Sequence, residues 1–154
     1  MLIRLLINSV SLGGNLLFNV GPTSRGYLDP HAMKALDVYS AWMKYNSRSI
    51  YGCTMAEPDI FPNCPPDCRF TQSEDGKRLY VHIFAYPYAH LRISGLAGRI
   101  DYAQFLHDGS EVPFAEGNFS HISIGAGADE DAVTFYLPKL KPDTLVPVIE
   151  VFLK

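Results

Sequence analysis

The spacing of apolar residues changes once along the chain. Before residue 57, apolar side chains recur every three or four positions, as at Leu36, Tyr39 and Met43, which is the spacing of an amphipathic helix. Beyond residue 68 the period falls to two, as at Leu79 and Val81, which is typical of a β-strand. The sequence therefore predicts a mainly helical part followed by a sheet part.

Two helices and one strand are predicted in the first part. The apolar run at residues 2–7 predicts a buried helix that is broken at Gly13 and Gly14. Asp29 followed by Pro30 predicts the start of a second helix, with a side-chain cap and a proline in the first helical position. Between the helices, residues 15–20 are apolar at adjacent positions, which is typical of a strand buried on both faces of a parallel sheet. This order of elements indicates an α/β unit.

The second part predicts a series of short strands. Apolar alternation marks them at residues 79–85, 91–93, 100–106, 122–124, 133–137 and 146–153, and Asp75-Gly76 and Asp108-Gly109 supply turns. Short strands separated by turn residues indicate an antiparallel β-sandwich. Four prolines lie between residues 57 and 67, so we expect a linker or a surface loop there and place the domain boundary near Glu57.

Composition narrows the class of protein. The 154 residues are 47% hydrophobic and 19% charged, which excludes an intrinsically disordered chain, and no apolar run is long enough to predict a membrane span. A net charge of -3 argues against a nucleic-acid partner. The three cysteines are an odd number and have no histidine near them, so we expect no metal and no cofactor. The apolar run at residues 2–7 is too short for a signal peptide, which favours a cytoplasmic bacterial location.

Taken alone, the residues do not assign an active site. No zinc-protease helix and no serine elbow are present. Paired carboxylates can catalyse glycoside hydrolysis, but each acid here has a structural explanation: Asp29 as a helix cap, Asp37 on the polar side of that helix, and Glu150 as the polar member of an alternating strand. His82 lies in the middle of a strand, where we expect a hydrogen-bonded or half-exposed ring.

Several segments resemble one known family. Residues 14–23, Gly-Asn-Leu-Leu-Phe-Asn-Val-Gly-Pro-Thr, resemble the final barrel strand of the family 29 α-L-fucosidases. Residues 42–46 and 49–54 resemble the closing helix and exit of that barrel, and residues 68–71, 79–84 and 91–96 resemble the C-terminal sandwich of the family. The resemblance follows the order of the family and covers nearly the whole chain.

The resemblance implies a fold and an activity. The fold is α+β: residues 1–56 are the final strand-helix unit of a (β/α)8-type barrel, 57–68 a Pro-rich linker, and 69–154 a C-terminal β-sandwich domain. A complete barrel needs more than 154 residues, so we expect the C-terminal portion of a longer enzyme or the product of a split gene. The activity is retaining exo-hydrolysis of terminal α-L-fucose from glycans, by an Asp nucleophile and a Glu acid/base. The segments that carry those two residues in the family have no matching positions here, so we expect no independent catalysis.

Five residues are candidates for a site. Asn19, Thr23 and Arg25 follow the barrel-like strand, and barrel active sites lie at the carboxyl ends of the strands, so these three would line the rim. For Thr23 and Arg25 a solvated loop is the competing explanation. Asp29 and His31 are weaker candidates for an improvised catalytic site, which would need a second carboxylate from the same chain or from another subunit.

The expected partners follow from the same resemblance. The substrate would be a fucosylated glycan or fucoside. Because a parallel strand at residues 15–20 would need hydrogen-bonded strands on both edges, we also expect self-association or a separate barrel polypeptide. The alternative is a β-sandwich that binds carbohydrate or docks a partner without catalysis.

Overall fold

The computed structural model describes residues 2–117 and 131–154. The helices are α1 (Leu2–Ser11) and α2 (Pro30–Asn46), and a single 3-10 turn follows at Ser47–Ser49. The strands are β1 (Cys53–Met55), β2 (Cys68–Ser73), β3 (Arg78–Ile83), β4 (His90–Ser94), β5 (Ile100–Phe105), β6 (Phe114–Glu116), β7 (Ala132–Tyr136) and β8 (Val148–Leu153). The strand predicted at residues 122–124 lies outside the described residues.

Both predicted helices are confirmed, with the predicted ends. At the end of α1, the Gly13 N–H donates to the Val10 carbonyl (2.9 Å) and the Gly14 N–H to the Ser9 carbonyl (2.8 Å). Gly13 has a φ of 75°, a left-handed conformation that glycine adopts without steric cost, so this is a Schellman end. At the start of α2, Asp29 Oδ1 accepts a hydrogen bond from the His31 N–H (2.7 Å), and Pro30 occupies the first turn.

The strands form two antiparallel sheets. One has five strands in the order β1-β2-β3-β8-β5, and the other has three in the order β4-β7-β6. In the larger sheet β8 lies between β3 and β5, with Glu150 opposite both Tyr80 and Gln104. The chain is therefore a mixed fold of helices and antiparallel sheets.

The five-stranded sheet is covered on both faces. Leu79, Val81 and Ile83 of β3 belong to a core that also includes Ile93 of β4 and Phe135 of β7 from the smaller sheet. Tyr80, at an alternate position of β3, faces the helices. It belongs to a second core with these members: Ile3, Ile7, Val10, Trp42, Ile50, Tyr80, Leu106, Val146 and Val148. Every position of β3 from Leu79 to Ile83 is consequently buried.

One sequence prediction needs correction: residues 15–20 do not form a buried strand. They have no regular secondary structure, and Leu17 and Phe18 are 85% and 40% exposed. A parallel strand is stable only when neighbouring strands satisfy its N–H and C=O groups, and none of the described residues pairs with this segment. The apolar pattern here identifies a surface that this chain does not bury.

The proline-rich stretch packs against the sheets. Ala56 and Phe61 are buried in the core between the two sheets, and the Phe61 N–H donates to the Glu57 carbonyl (2.8 Å). The preceding strand β1 pairs with β2, so the larger sheet extends to residues on both sides of this stretch.

Candidate functional site

The predicted rim residues lie on a tight exposed loop. The backbones of Pro22 and Leu28 form an antiparallel bridge. Inside it, the Thr23 N–H donates to the Tyr27 carbonyl (2.7 Å), and Thr23 Oγ1 accepts a hydrogen bond from the Tyr27 N–H (3.2 Å). Asn19, Thr23 and Arg25 are all exposed. The structure thus places Thr23 and Arg25 on this loop and Asn19 in the exposed segment just before it. The Thr23 hydroxyl also has a structural function in the loop.

Asp29 and His31 lie two positions apart, and the Asp29 carboxylate contacts the backbone of His31. Both are exposed, and the contact between them is the hydrogen bond from the His31 N–H to the Asp29 carboxylate that caps α2. This geometry supports the capping function of Asp29 and gives no catalytic pair.

A buried carboxylate that the sequence did not reveal lies elsewhere. Glu150 is fully buried in β8. Its Oε2 accepts hydrogen bonds from Gln104 Nε2 (2.7 Å) and Arg48 Nη2 (2.9 Å). Its Oε1 accepts one from the Tyr80 hydroxyl (3.2 Å) and lies 3.6 Å from Arg78 Nε.

The Glu150 cluster is a structural network. Burial and the negative charge of Glu150 raise the pKa of Tyr80 to about 12. The phenol therefore stays protonated and donates a hydrogen bond to Glu150. Both carboxylate oxygens already accept hydrogen bonds and the side chain is fully buried, so a substrate cannot reach Glu150. The alternation of polar and apolar residues could have located Glu150 on the helix-facing side of β8, but not its partners on three other elements.

His82 is buried and only half hydrogen-bonded. The Thr71 hydroxyl donates to the Ser49 carbonyl (2.7 Å), so it must accept its second bond from His82 Nε2 (2.9 Å). The ring therefore carries its proton on Nε2, and its buried Nδ1 has no hydrogen-bond partner among residues 2–117 and 131–154. Complete burial lowers the pKa of His82 to about 3, which keeps the ring neutral. The expectation of a satisfied or half-exposed ring is met for one nitrogen and wrong for the other.

A groove runs along the carboxyl-terminal half of α2. It has a volume of about 630 Å³ and is lined by Val38, Ala41, Trp42, Tyr45 and Asn46 of α2, His107 after β5, and Lys141, Asp143, Thr144 and Leu145. We call it the α2 groove. It shares no residue with the rim loop.

The cysteines do not form a reactive centre. All three are free thiols, and burial raises the pKa of Cys53 and Cys64 to about 11 and of Cys68 to about 12. Across residues 2–117 and 131–154, no group of three or more His, Cys, Asp or Glu side chains could hold a metal ion. In the same ranges, neither helix combines the length and apolarity needed to cross a bilayer.

Sequence comparisons identify relatives of this chain. Residues 1–48 match the family model described as α-L-fucosidase. The plasma α-L-fucosidase of Rattus norvegicus is 31% identical over 86 residues, which are 56% of this chain and 18% of that protein. The tissue α-L-fucosidase of Bos taurus is 44% identical over 46 residues, which are 30% of this chain and 10% of that protein.

Solved structures extend the similarity along the chain. α-L-Fucosidase isoenzyme 1 from Paenibacillus thiaminolyticus superposes with a TM-score of 0.83 at 32% identity, covering 99% of this chain and 34% of that one. A family 29 α-L-fucosidase from Bacteroides thetaiotaomicron superposes with a TM-score of 0.80 at 21% identity, covering 99% and 31%, and shows the shared fold.

The chain spans less than a fifth of its curated relative from Rattus norvegicus and about a third of the Paenibacillus structure. The family model and the superposed structures agree with the resemblance found in the sequence. The chain is therefore similar to part of an α-L-fucosidase of glycoside hydrolase family 29.

Proposed function

We propose that this chain serves as the C-terminal portion of a retaining α-L-fucosidase and does not hydrolyse fucosides by itself. The observation that carries the proposal is that an α-L-fucosidase structure matches 99% of the chain, while the chain matches 34% of that enzyme. The remaining two thirds of such an enzyme would have to supply the catalytic centre.

The chemistry of the reaction supports this division. A retaining glycosidase needs a nucleophilic carboxylate and an acid/base carboxyl group about 5–5.5 Å apart across the sugar. Near the rim loop, the Asp29 carboxylate is occupied in capping α2. Glu150 lies elsewhere in the chain and is buried within its hydrogen-bond network. Neither is available as half of such a pair.

The rim residues would then assist a centre carried by other residues. Asn19, Thr23 and Arg25 would line the edge of the sugar site, where their amide, hydroxyl and guanidinium groups can hydrogen-bond to glycan hydroxyls. Their exposure on and just before one loop supports this assignment. The substrate would be a fucosylated glycan or fucoside.

The proposal also assigns the parts of the chain. Residues 1–56 would be the final strand-helix unit of a barrel, 57–68 the Pro-rich connection, and 69–154 a β-sandwich domain. Residues 15–20 would become a strand when flanking barrel strands pair with them. The exposure of Leu17 and Phe18 supports a partner for this segment, either a separate barrel polypeptide or a second copy of the chain.

Hydrolysis of an aryl α-L-fucoside by the purified chain tests the proposal. We expect no release above background at any protein concentration. Turnover that co-purifies with the chain would overturn it, and loss of that turnover in Asp29→Asn, but not in the matched control Asp37→Asn, would locate an improvised site. Both residues are exposed and both substitutions preserve shape.

The alternative function is carbohydrate binding without catalysis. The α2 groove favours it, since ligand sites are concave and combine apolar walls with a few convergent polar groups. Saturable binding of a fucosylated glycan without turnover, by the chain alone, is the outcome expected of that alternative.

A further inference from the structure

The helices and the larger sheet share one apolar core. Ile7 of α1 and Trp42 of α2 pack in it with Tyr80 of β3 and Val148 of β8, and all four side chains are buried. The core therefore combines residues from both sides of the predicted boundary near Glu57. Because burial of apolar surface is the main favourable contribution to folding, each part would lose stability if it were separated from the other.

Buried hydrogen bonds also connect the two parts. The Trp42 indole N–H donates to the Val146 carbonyl (2.9 Å). The Thr71 hydroxyl of β2 donates to the carbonyl of Ser49, in the turn after α2 (2.7 Å). Breaking a buried hydrogen bond is costly when one of its groups is left without a partner, so these two bonds oppose independent movement of the end of α2 against the sheet.

Two arginines attach α1 to the sheet. Arg69 Nε of β2 donates to Asn8 Oδ1 of α1 (3.0 Å), and Arg4 of α1 donates to the carbonyl of Phe84, the residue after β3. The guanidinium carbons of Arg4 and Arg69 lie 5.0 and 5.4 Å from the centroid of the Phe84 ring. These distances are typical of cation–π contacts. Polar contacts therefore hold α1 in place in addition to the shared core.

The proline-rich stretch does not separate the two parts. Ala56, just before it, and Phe61 within it are buried in the core between the sheets. The Glu57 N–H donates to Oε1 of the buried Gln72 on β2 (3.0 Å). Domains that fold independently are joined by exposed linkers across which few contacts form, whereas this stretch is fixed to the sheets.

The sheet holds α2 mainly at its carboxyl-terminal end. The buried residues of α2 are Trp42 and Asn46, in its last two turns, and the Asn46 amide donates to the Trp42 carbonyl (3.0 Å). The beginning of α2, which follows the rim loop, is less completely covered. The sheet therefore fixes α2 from the end that is distant from the rim loop.

We propose that the helices and both sheets form one cooperative folding unit, in which the sheets support α1 and the end of α2. The sheet part would then not be a carbohydrate-binding module that folds and acts independently of the helices. That the supported helices belong to a barrel rests on the proposed function, whereas the single folding unit does not.

Amide hydrogen exchange of the full chain, measured by mass spectrometry at increasing urea concentrations, tests the proposal. In one cooperative unit the slowest amides of α1, β3 and β8 exchange through the same global opening. Their opening equilibria should therefore agree within about tenfold, and they should show the same dependence on urea.

A substitution at the contact between the parts adds a second test. Trp42→Phe retains an aromatic ring but removes the indole N–H that donates to the Val146 carbonyl. It should accelerate exchange of the slowest amides in α1 and in β8 alike, by about tenfold, because a buried hydrogen bond is lost. The matched control Tyr45→Phe, which removes a hydroxyl from the exposed side of α2, should leave both rates unchanged.

Two wild-type results would overturn the proposal. They are opening equilibria in α1 that exceed those in β3 and β8 by more than about tenfold, and a smaller urea dependence in α1 than in the strands. For Trp42→Phe, acceleration confined to the helices, or unchanged exchange in both parts, would also count against it. The measurement requires no turnover, so its failure is distinct from failure of the proposed fucosidase function, which the hydrolysis assay reports.

Discussion

Glu150 brings a negative charge into the interior of the larger sheet, where it is compensated from several sides. Its neighbours along β8 are apolar, and the positions opposite it are Tyr80 on β3 and Gln104 on β5. Arg48 reaches the same carboxylate from the turn after α2. Alternation along β8 predicted a polar residue at this position. The partners could not be predicted, because they depend on which strands flank β8.

Replacing Glu150 with Gln should destabilise the protein. The substitution removes the charge and turns an amide N–H₂ toward groups that are themselves donors. We expect a loss of about 2–3 kcal/mol in the free energy of unfolding, below the full cost of breaking a buried ion pair because both arginines reach solvent. Urea denaturation would measure it. Glu111→Gln, at an exposed site, should change the midpoint little, and equal effects would contradict this account.

His82 should make stability depend on pH. In the folded protein its pKa is lowered to about 3, whereas the unfolded chain titrates near 6.5. Above pH 6.5 both states are neutral at this residue and it contributes no pH dependence. As pH falls below 6.5, His82 binds a proton in the unfolded state but not in the folded state. The free energy of unfolding therefore decreases until the folded ring also titrates.

The expected size is about 2 kcal/mol of lost stability at pH 5 relative to pH 7. Urea denaturation at several pH values would measure it in the wild type and in His82→Gln, which keeps a side-chain amide near Thr71. The pH dependence of the free energy of unfolding should be reduced in His82→Gln. It should be retained in His90→Gln, because the His90 ring is exposed. A wild-type curve as flat as that of His82→Gln would refute the assignment.

At the scale of elements, prediction succeeded where the signal was local. The start of α2 is encoded by Asp29 and Pro30, and the end of α1 by Gly13 and Gly14, so neighbouring residues suffice to identify both. The segment at residues 15–20 has an equally clear pattern but no strand. A β-strand is stabilised by hydrogen bonds to neighbouring strands, and no strand in the described part of the chain pairs with residues 15–20.

The cap of α2 can be tested separately from catalysis. Asp29→Ala removes the acceptor for the His31 N–H, and the free energy of unfolding should fall by about 1 kcal/mol. Asp29→Asn should retain most of the stability, since asparagine also caps helices well. Thermal denaturation followed by circular dichroism would measure both. Asp37→Ala, on the exposed side of α2, serves as the control, and a similar loss there would argue against a specific cap.

At the scale of the molecule, two antiparallel sheets and two helices form three layers with the five-stranded sheet in the middle. The period-two alternation predicted the strands, but it could not predict that α1 and α2 cover the outer face of the sheet. The rim residues were predicted by resemblance to a family motif. The α2 groove could not be found this way, because His107 and Asp143 join Asn46 only in the folded chain.

The exposed apolar segment predicts association at the molecular scale. Leu17 is 85% exposed and lies close in sequence to the exposed Leu12, Phe18 and Leu28, so burial against a second surface should be favourable. We expect the chain to elute as a dimer or larger species in size-exclusion chromatography and to bind a hydrophobic dye.

Leu17→Asp should shift that equilibrium toward the monomer and reduce dye binding. Leu140→Asp is the matched control, because Leu140 is equally exposed, at 84%, but lies far along the chain in a different loop. A monomeric wild type without dye binding would count against the segment as an interaction surface. Equal effects of the two substitutions would show that the association is not specific to it.

The position of β8 between β3 and β5 has a consequence for synthesis on the ribosome. β8 fills the space between β3 and β5, and the Trp42 indole bonds to Val146, 104 residues further along. The space between β3 and β5 therefore stays open, with the facing edges of both strands unpaired, until residues 148–153 have emerged. During most of translation the nascent chain exposes a gap of the width of one strand. Chaperones that bind extended apolar segments would have their target there, and loss of these few residues by premature termination would leave the gap permanently open.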